Sequence, residues 1–590
     1  MTRSRRWSPR LAALSATAVI VFAACGGATT SSAPSGAATA PASEAPSETF
    51  EALVYPAEGE APCGQEAAPD AEHSAYTGNF KKISATDAST VVFELCNPDV
   101  AFLSKIAFTS FAINDTAWLE SKIDPAGTTN QAIVSEVNGT GPYKLEAWNR
   151  GSDVTMTRND AYWGDQAKTE RFIMKWGTEG AQRLVELSSG TVDGIDNVGN
   201  TDFPTVEANP DLQIQPREGL NVMYFGFNNT FAPFDKVEVR QAIALGIDRQ
   251  RLLDNFAAPG SELATYFTPC SIPNACQGDA WYDFDPAAAK QMLADAGFPD
   301  GFATKIQYRD VSRGYVNDQN VIAQDLQAQL KTNLNIDATI EVQESGTFID
   351  NADAGKLDGI HILGWGADYP DMTNFLDYHF GSGSSLQFGD KFDDITGPLS
   401  QGAIGLDDAS RAPFYEQANN AIKANIPMIP IWHQASATAY RADVQGAHSS
   451  PLGNEHFASM TPGDRTQFVF MQGAEPPGLY CADESDGEAL RVCEQMTEAL
   501  YAYEIAGTAA IPALAEKCEP DAELTTWTCT LRAGVTFHDG AALDANDVVL
   551  SYATQWDAEH PLHKGRDGSF SYFPGLFGGF LNPPPPAPES

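Results

Sequence analysis

Apolar positions along this chain follow two periods that alternate with each other. Residues 222–229 (VMYFGFNN) form a continuous apolar run closed by two asparagines, the pattern of a buried strand ending in a turn. Just beyond it, apolar or small residues at Val239, Ala242, Ile243, Gly246 and Ile247 share one helical face, and Asp248 is placed to cap a second helix carrying Leu252 and Leu253. Asp285 followed by Pro286 predicts a helix over residues 287–296, with Gly297 as its stop. Residues 339–342 (TIEV) and 359–364 (GIHILG) read as strands. Strands and helices that interleave in this way predict an α/β class with mixed sheets. Late in the chain, residues 531–540 predict a strand entering an Asp539-Gly540 turn, and Asp544 with Asp547 predicts a capped helix starting before Val548.

The ends carry a different pattern. Arg3, Arg5, Arg6 and Arg10 precede an apolar run from Leu11 to Ala24, shorter than the roughly 20 residues a bilayer span needs, so residues 1–25 read as a secretory signal. The run ends Phe22-Ala23-Ala24-Cys25, which resembles a bacterial lipobox with Phe22 where leucine is usual; the resemblance implies Cys25 as a lipidated first residue, anchored by acyl chains. Residues 26–49 contain no large apolar side chain and predict a flexible linker, and the Pro-rich residues 583–590 predict an extended tail.

Composition narrows the function. A chain of 590 residues with 43% hydrophobic content fills roughly two to four lobes. A formal net charge of -42 excludes a phosphate-backbone surface, and with it a nucleic-acid partner. Setting Cys25 aside, the cysteines are even in number in an exported chain, which predicts disulfides. Spacing suggests Cys270 with Cys276, Cys481 with Cys493, and Cys518 with Cys529 across a hairpin. Cys63 with Cys96 is left by remainder, one of about 105 possible connectivities. No Cys-x-x-Cys is present, and His560 and His563 have no cysteine beside them, so no metal or other cofactor is expected. There is no Gly-x-Ser-x-Gly elbow, P-loop or dinucleotide fingerprint; His433 and His538 read as isolated strand-end histidines and Tyr143 as a structural residue, so no catalytic residue is assigned and an enzyme is not expected.

Seven stretches then converge. VRQAIALGIDRQRLL (239–253), GTGPYKLEAW (139–148), NDAYWG (159–164), RLVELSSGTVDG (183–194), FDPAAAKQMLADAGFPDGF (284–302), GWGADYPDMTNFL (364–376) and IPMIPIWHQ (426–434) resemble, in relative order, the peptide and nickel class of extracytoplasmic solute-binding proteins that serve ABC importers. The resemblance implies a two-lobed clamshell with an extra subdomain, closing on a solute and handing it to a permease. It also implies that segments have been permuted. Residues 498–552 resemble what normally opens such a protein, and residues 80–103 what normally follows, so the cut falls between Tyr552 and Asn79, with the old termini joined near residues 459–467. One lobe is then expected from residues 50–227 with 445–582, and the other from 228–444.

Site residues follow from the same resemblance. The family's aspartate that pairs with a peptide α-amino group corresponds to Asp368, within Trp365-Gly366-Ala367-Asp368-Tyr369; Trp365 and Tyr369 are read as either cleft wall or core. Residues 483–488, including Asp486 and Gly487, match loosely the place where ligand backbone lies along a strand. Tyr224 and Asn228 are expected where the chain crosses between lobes, each a candidate to face the cleft, although a tyrosine in such an apolar run is more often simply buried. The partners implied are a peptide and importer permease subunits, with a monomer held outside the membrane by its lipid alone; a nickel chelate, haem or oligosaccharide, or a sensor role, is the alternative.

Overall fold

Alternating burial turns Ile83 and Ala85 of Phe80–Asp87 and Val91, Phe93 and Leu95 of Thr90–Leu95 to one face, and a register shift between Phe80 and Lys82 brings Phe80 to the same side. Far along the chain, Thr526–Leu531 alternates in the same way and pairs antiparallel with Thr90–Leu95, setting Trp527 opposite Phe93 and Cys529 opposite Val91. The structure, a computed structural model, describes residues 50–64, 74–124, 131–309, 311 and 313–583. The expected signal segment, Cys25, the 26–49 linker and all of the tail beyond Pro583 lie outside the described residues.

Three principal sheets organise the two lobes. A five-stranded antiparallel sheet runs Val54–Tyr55, Phe80–Asp87, Thr90–Leu95, Thr526–Leu531, Ala515–Pro520. A seven-stranded mixed sheet runs Tyr143–Asn149, Asp153–Arg158, Arg171–Trp176, Gln467–Gln472, Gly194–Ile195, Ser436–Arg441, Leu212–Arg217, with Gln467–Gln472 parallel to both its neighbours. These two sheets belong to the first lobe. The second lobe is built round a six-stranded mixed sheet, Glu262–Leu263, Met428–His433, Asn221–Gly226, Ile360–Gly366, Ala303–Arg309, Asp337–Gln343. Its central strands are buried on both faces, as their unbroken apolar runs require.

The helices of the second lobe form where the sequence pattern places them. Val237–Gly246 packs on Pro286–Asp295 and not on its successor Arg249–Phe256, which lies against strand Met428–His433; Asp248 accepts from the Arg251 N–H, and Asp285 caps Pro286–Asp295 before Gly297 turns the chain at φ +100°. In the late block, Asp544 and Asp547 form a reciprocal capping box at the start of Ala545–Trp556. That helix lays Tyr552 and Trp556 on Phe80 at ring separations of 5.9 and 5.7 Å, so residues near both ends of the described chain share one core.

Two expectations shift. The strand predicted over residues 531–538 ends at Leu531: Gly534 takes φ +78°, which breaks the extended run, and Thr536 makes only an isolated bridge to Ala542. The crossings between sheets also come earlier than the expected 227/228 and 444/445. Asn221–Gly226 already belongs to the second lobe's sheet and Ser436–Arg441 to the first lobe's, so the chain crosses between Arg217 and Asn221 and again between His433 and Ser436. All four disulfides are present as paired from the sequence: Cys63–Cys96, Cys270–Cys276, Cys481–Cys493 and Cys518–Cys529, the last spanning directly opposed residues of a hairpin.

Candidate ligand-binding site

Strand Ile360–Gly366 lies beside Asn221–Gly226 in the middle of its sheet, and its end carries Trp365, Gly366, Ala367 and Asp368 out to where the lobes meet. The Ala367 N–H is held by the Leu220 carbonyl at 2.8 Å. Asn374, on the following turn, fixes the rest. Its side-chain oxygen accepts from the Trp365 indole at 3.2 Å and the Asp368 N–H at 2.9 Å, while its amide donates to Asp368 Oδ2 at 2.9 Å. The Trp365 ring stacks on Tyr378 at 4.1 Å. Asp371 anchors the turn from below, taking both ends of the Arg411 guanidinium at 2.7 Å.

The first lobe closes over this strand end. Tyr369 is buried in the first lobe's core, with the Lys105 ammonium 5.5 Å above its ring. The Tyr503 hydroxyl donates to the Ser104 carbonyl at 2.7 Å and lies 3.4 Å from the Asp368 carbonyl, and Tyr572 hydrogen-bonds the Asp368 carboxylate. Burial pushes the Asp368 carboxyl up to about 6, against the pull of hydrogen bonds from Asn374 and Tyr572. Both of those neighbours are neutral, and among the described residues Asp368 makes no ion pair.

Tyr503 also walls a cavity of about 200 Å³ in the first lobe, lined by Phe108, Asp196, Asn197, Gly487, Glu488, Arg491 and Glu494 among others. Behind it, two arginines and two carboxylates alternate. Arg217 pairs with Asp196 at 2.8 Å and with Glu455; Arg491 pairs with Glu455 at 3.0 Å and Asp196 at 3.1 Å. Burial would raise the Asp196 carboxyl, but Arg491 and Arg217 outweigh it and hold it down at about 2.

A profile of the bacterial extracellular solute-binding proteins, family 5 middle, matches residues 49–387 and 509–569, more than half of the chain. The chain belongs to that family. Among similar proteins, di/tripeptide-binding protein 1 of Pseudomonas aeruginosa is 26% identical over 393 residues, covering 65% of this chain and 72% of the relative. Heme-binding protein A of Haemophilus influenzae is 26% identical over 384 residues, covering 64% and 69%. Of solved structures, HbpA2 from Haemophilus parasuis matches with a TM-score of 0.57 at 26% identity, over 65% of this chain and 76% of that one. The dipeptide-binding protein from Pseudoalteromonas sp. SM9913, in complex with Met-Leu, shares the fold at a TM-score of 0.55 and 24% identity, over 64% and 73%.

Within this family 5 chain, several residues expected at the site lie elsewhere. Tyr224 is buried inside the second lobe, its hydroxyl accepting from Gln387 at 2.9 Å, and Asn228 is a loop clamp that donates to the Gly355 carbonyl and accepts from Thr230. Both were placed at the crossing, which falls earlier. Residues 483–488 offer no strand edge: Cys481–Asp483 is a single tight helical turn, Asp483 accepts from the Gly568 and Phe570 N–H groups, and Asp486 caps helix Gly487–Cys493 through Ala489 N–H. A capping side chain competes with extended pairing for the same N–H groups. Of this stretch, Gly487 and Glu488 line the cavity. Tyr143 bonds Thr169 from within the core, and His433 and His538 face the Asn221 and Gly141 carbonyls, each held near 4 by burial. Missed were Tyr503, Tyr572 and Glu494. Asn374 sat inside a quoted motif, GWGADYPDMTNFL, without being singled out.

Proposed function

We propose that the protein captures a short peptide at the seam between its lobes, pairing the peptide's α-ammonium with Asp368, and passes it to the permease of an ABC importer. The observation that carries this reading is a carboxylate shielded where two lobes close and hydrogen-bonded, among the described residues, only to neutral groups: a ligand cation is what offsets its desolvation. Trp365, Gly366, Ala367 and Tyr369 position it, and Tyr503 and Tyr572 supply the opposite wall. The names of peptide-binding relatives support the peptide; the name of a haem-binding relative points to another solute, but a cavity below the roughly 300 Å³ of a drug-sized pocket and walled by ionic groups suits a small polar ligand better. Nothing in this function needs chemistry on the solute. Release and capture follow from lobe opening and closing.

Native mass spectrometry of residues 26–590 with a mixed peptide library tests this. Retained di- to pentapeptides are expected; a folded protein that retains none contradicts it. The membrane-extracted form in the same instrument is expected to begin at a diacylglyceryl Cys25, and an unmodified terminus elsewhere contradicts the anchor.

The permuted segment order is part of the proposal. It is supported by Thr526–Leu531 sitting between Thr90–Leu95 and Ala515–Pro520, and by the closeness of the late and early chain: Ser74 N–H donates to the Pro583 carbonyl at 3.1 Å, and Asn79 N–H to the Phe577 carbonyl at 2.6 Å. Ends this close tolerate rejoining. A chain in which residue 583 is linked to residue 74 and new termini open within residues 459–467 is expected to fold with the same circular dichroism and peptide affinity. Loss of cooperative unfolding in it contradicts the permutation.

A further inference from the structure

The cavity beside Tyr503 holds a carboxylate that the ion network does not use. Glu494 sits at the C-terminal cap of helix Gly487–Cys493, where the helix dipole disfavours a negative charge. Its Oε2 is shielded from solvent and has no hydrogen-bond partner among the described residues, Asn454 being the polar neighbour of the carboxyl. The nearest guanidinium, Arg491, is already committed to Glu455 and Asp196; Arg217 serves the same two carboxylates, and Arg183 donates to the carbonyls of Gly177, Thr178, Asp196 and Asn197. Glu488 lines the same cavity. Acidic side chains therefore outnumber basic ones at a cavity that adjoins Asp368 through Tyr503.

We propose that this cavity is the subsite for a cationic side chain of the ligand, with Glu494 as the carboxylate that pairs with it and the Tyr503 and Phe108 rings along the aliphatic stem, so that the protein selects peptides carrying lysine or arginine. The proposal rests on the peptide reading above. Ionising a shielded carboxyl that lacks a counter-cation is costly in the empty protein, and an incoming ammonium both offsets that charge and supplies a donor to Oε2. Aromatic walls suit the stem and favour the charge. Burial first, and then Glu455, push the empty-site Glu494 carboxyl up to about 8, with Asn454 and Arg491 opposing; Glu488 is also raised, by burial and then Asp486. A lysine side chain entering at neutral pH thus displaces a proton.

Isothermal titration of the wild-type protein with Ala-Lys-Ala and with its neutral isostere Ala-norleucine-Ala tests this. The lysine peptide is expected to bind about ten- to a hundredfold tighter. In Glu494→Gln that ratio is expected to fall toward one. A second reading needs no variant: at pH 7.5, above the range in which Asp368 titrates, the lysine peptide is expected to release a substantial fraction of a proton more than the norleucine peptide, seen by comparing buffers of different ionisation enthalpy. Equal affinities and equal proton release for two peptides that both bind overturn this subsite and leave the peptide reading standing. A ratio unchanged in Glu494→Gln overturns the assignment to Glu494. Failure of both peptides to bind removes the peptide reading and this inference together.

Discussion

Replacing Arg217 with methionine is expected to destabilise the protein by about 3–5 kcal/mol, read as a fall in the urea midpoint at unchanged slope. The reason is what remains. Arg217 is buried and reaches both Asp196 and Glu455, and without it Arg491 alone faces two buried carboxylates. Arg217 is one of the arginines that hold Asp196 down at about 2, so its removal leaves that buried carboxyl under-compensated, and either keeping it charged or protonating it costs stability at neutral pH. The contrast is Arg441, whose pair with Asp443 is open to solvent; its loss is expected to cost less than about 1 kcal/mol. An Arg217→Met protein as stable as wild type would mean that the network behind the cavity is solvated.

Asp368→Asn is expected to weaken peptide binding by roughly 30-fold to several thousand-fold, the effect of removing one partner from a desolvated charge pair worth about 2–5 kcal/mol. The ligand-free variant is expected to be at least as stable as wild type. The folded-state carboxyl, at about 6, lies above its unfolded value, so the folded protein favours the protonated form, and ligand-free stability falls as pH rises from about 4 through 6. Asparagine removes that penalty while keeping the shape, and the Tyr572 hydroxyl can reverse its hydrogen bond. Binding runs the other way with pH. A bound ammonium holds the carboxylate ionised, so affinity is full above pH 6 and is lost as pH falls through 6. A binding protein that sacrifices stability for a charge it needs only with ligand gives this pair of opposite slopes.

Much of the fold could be read from the chain because its signals are local. Asp248, Asp285 and Asp544 each cap the helix they were expected to cap, and the short-range cysteine pairs sit where the spacing put them. The site was less legible. Asp368 lies in a quoted motif, but its surroundings, Tyr503 and Tyr572, come from segments more than a hundred residues away, and nothing in their local sequence marks them as facing it. Tyr224 and Asn228 were displaced because an apolar run of a strand does not say which sheet it joins; Asn221–Gly226 pairs with Ile360–Gly366 and Met428–His433, and so carries both residues into the second lobe. Asp486 was read as strand edge, although an aspartate before Gly487 and an apolar-periodic run is equally a helix cap. Glu494 left no trace in sequence, since an unpaired carboxylate and a paired one are written alike.

The most direct measurement is calorimetric titration of the wild-type protein at pH 7.5 with a dipeptide bearing a free α-amine and with the same dipeptide N-acetylated. The account predicts binding of the free amine and loss of at least 30-fold on acetylation, with Asp368→Asn treating the two alike. Equal binding of both forms to the wild type would contradict the pairing of Asp368 with the peptide's ammonium.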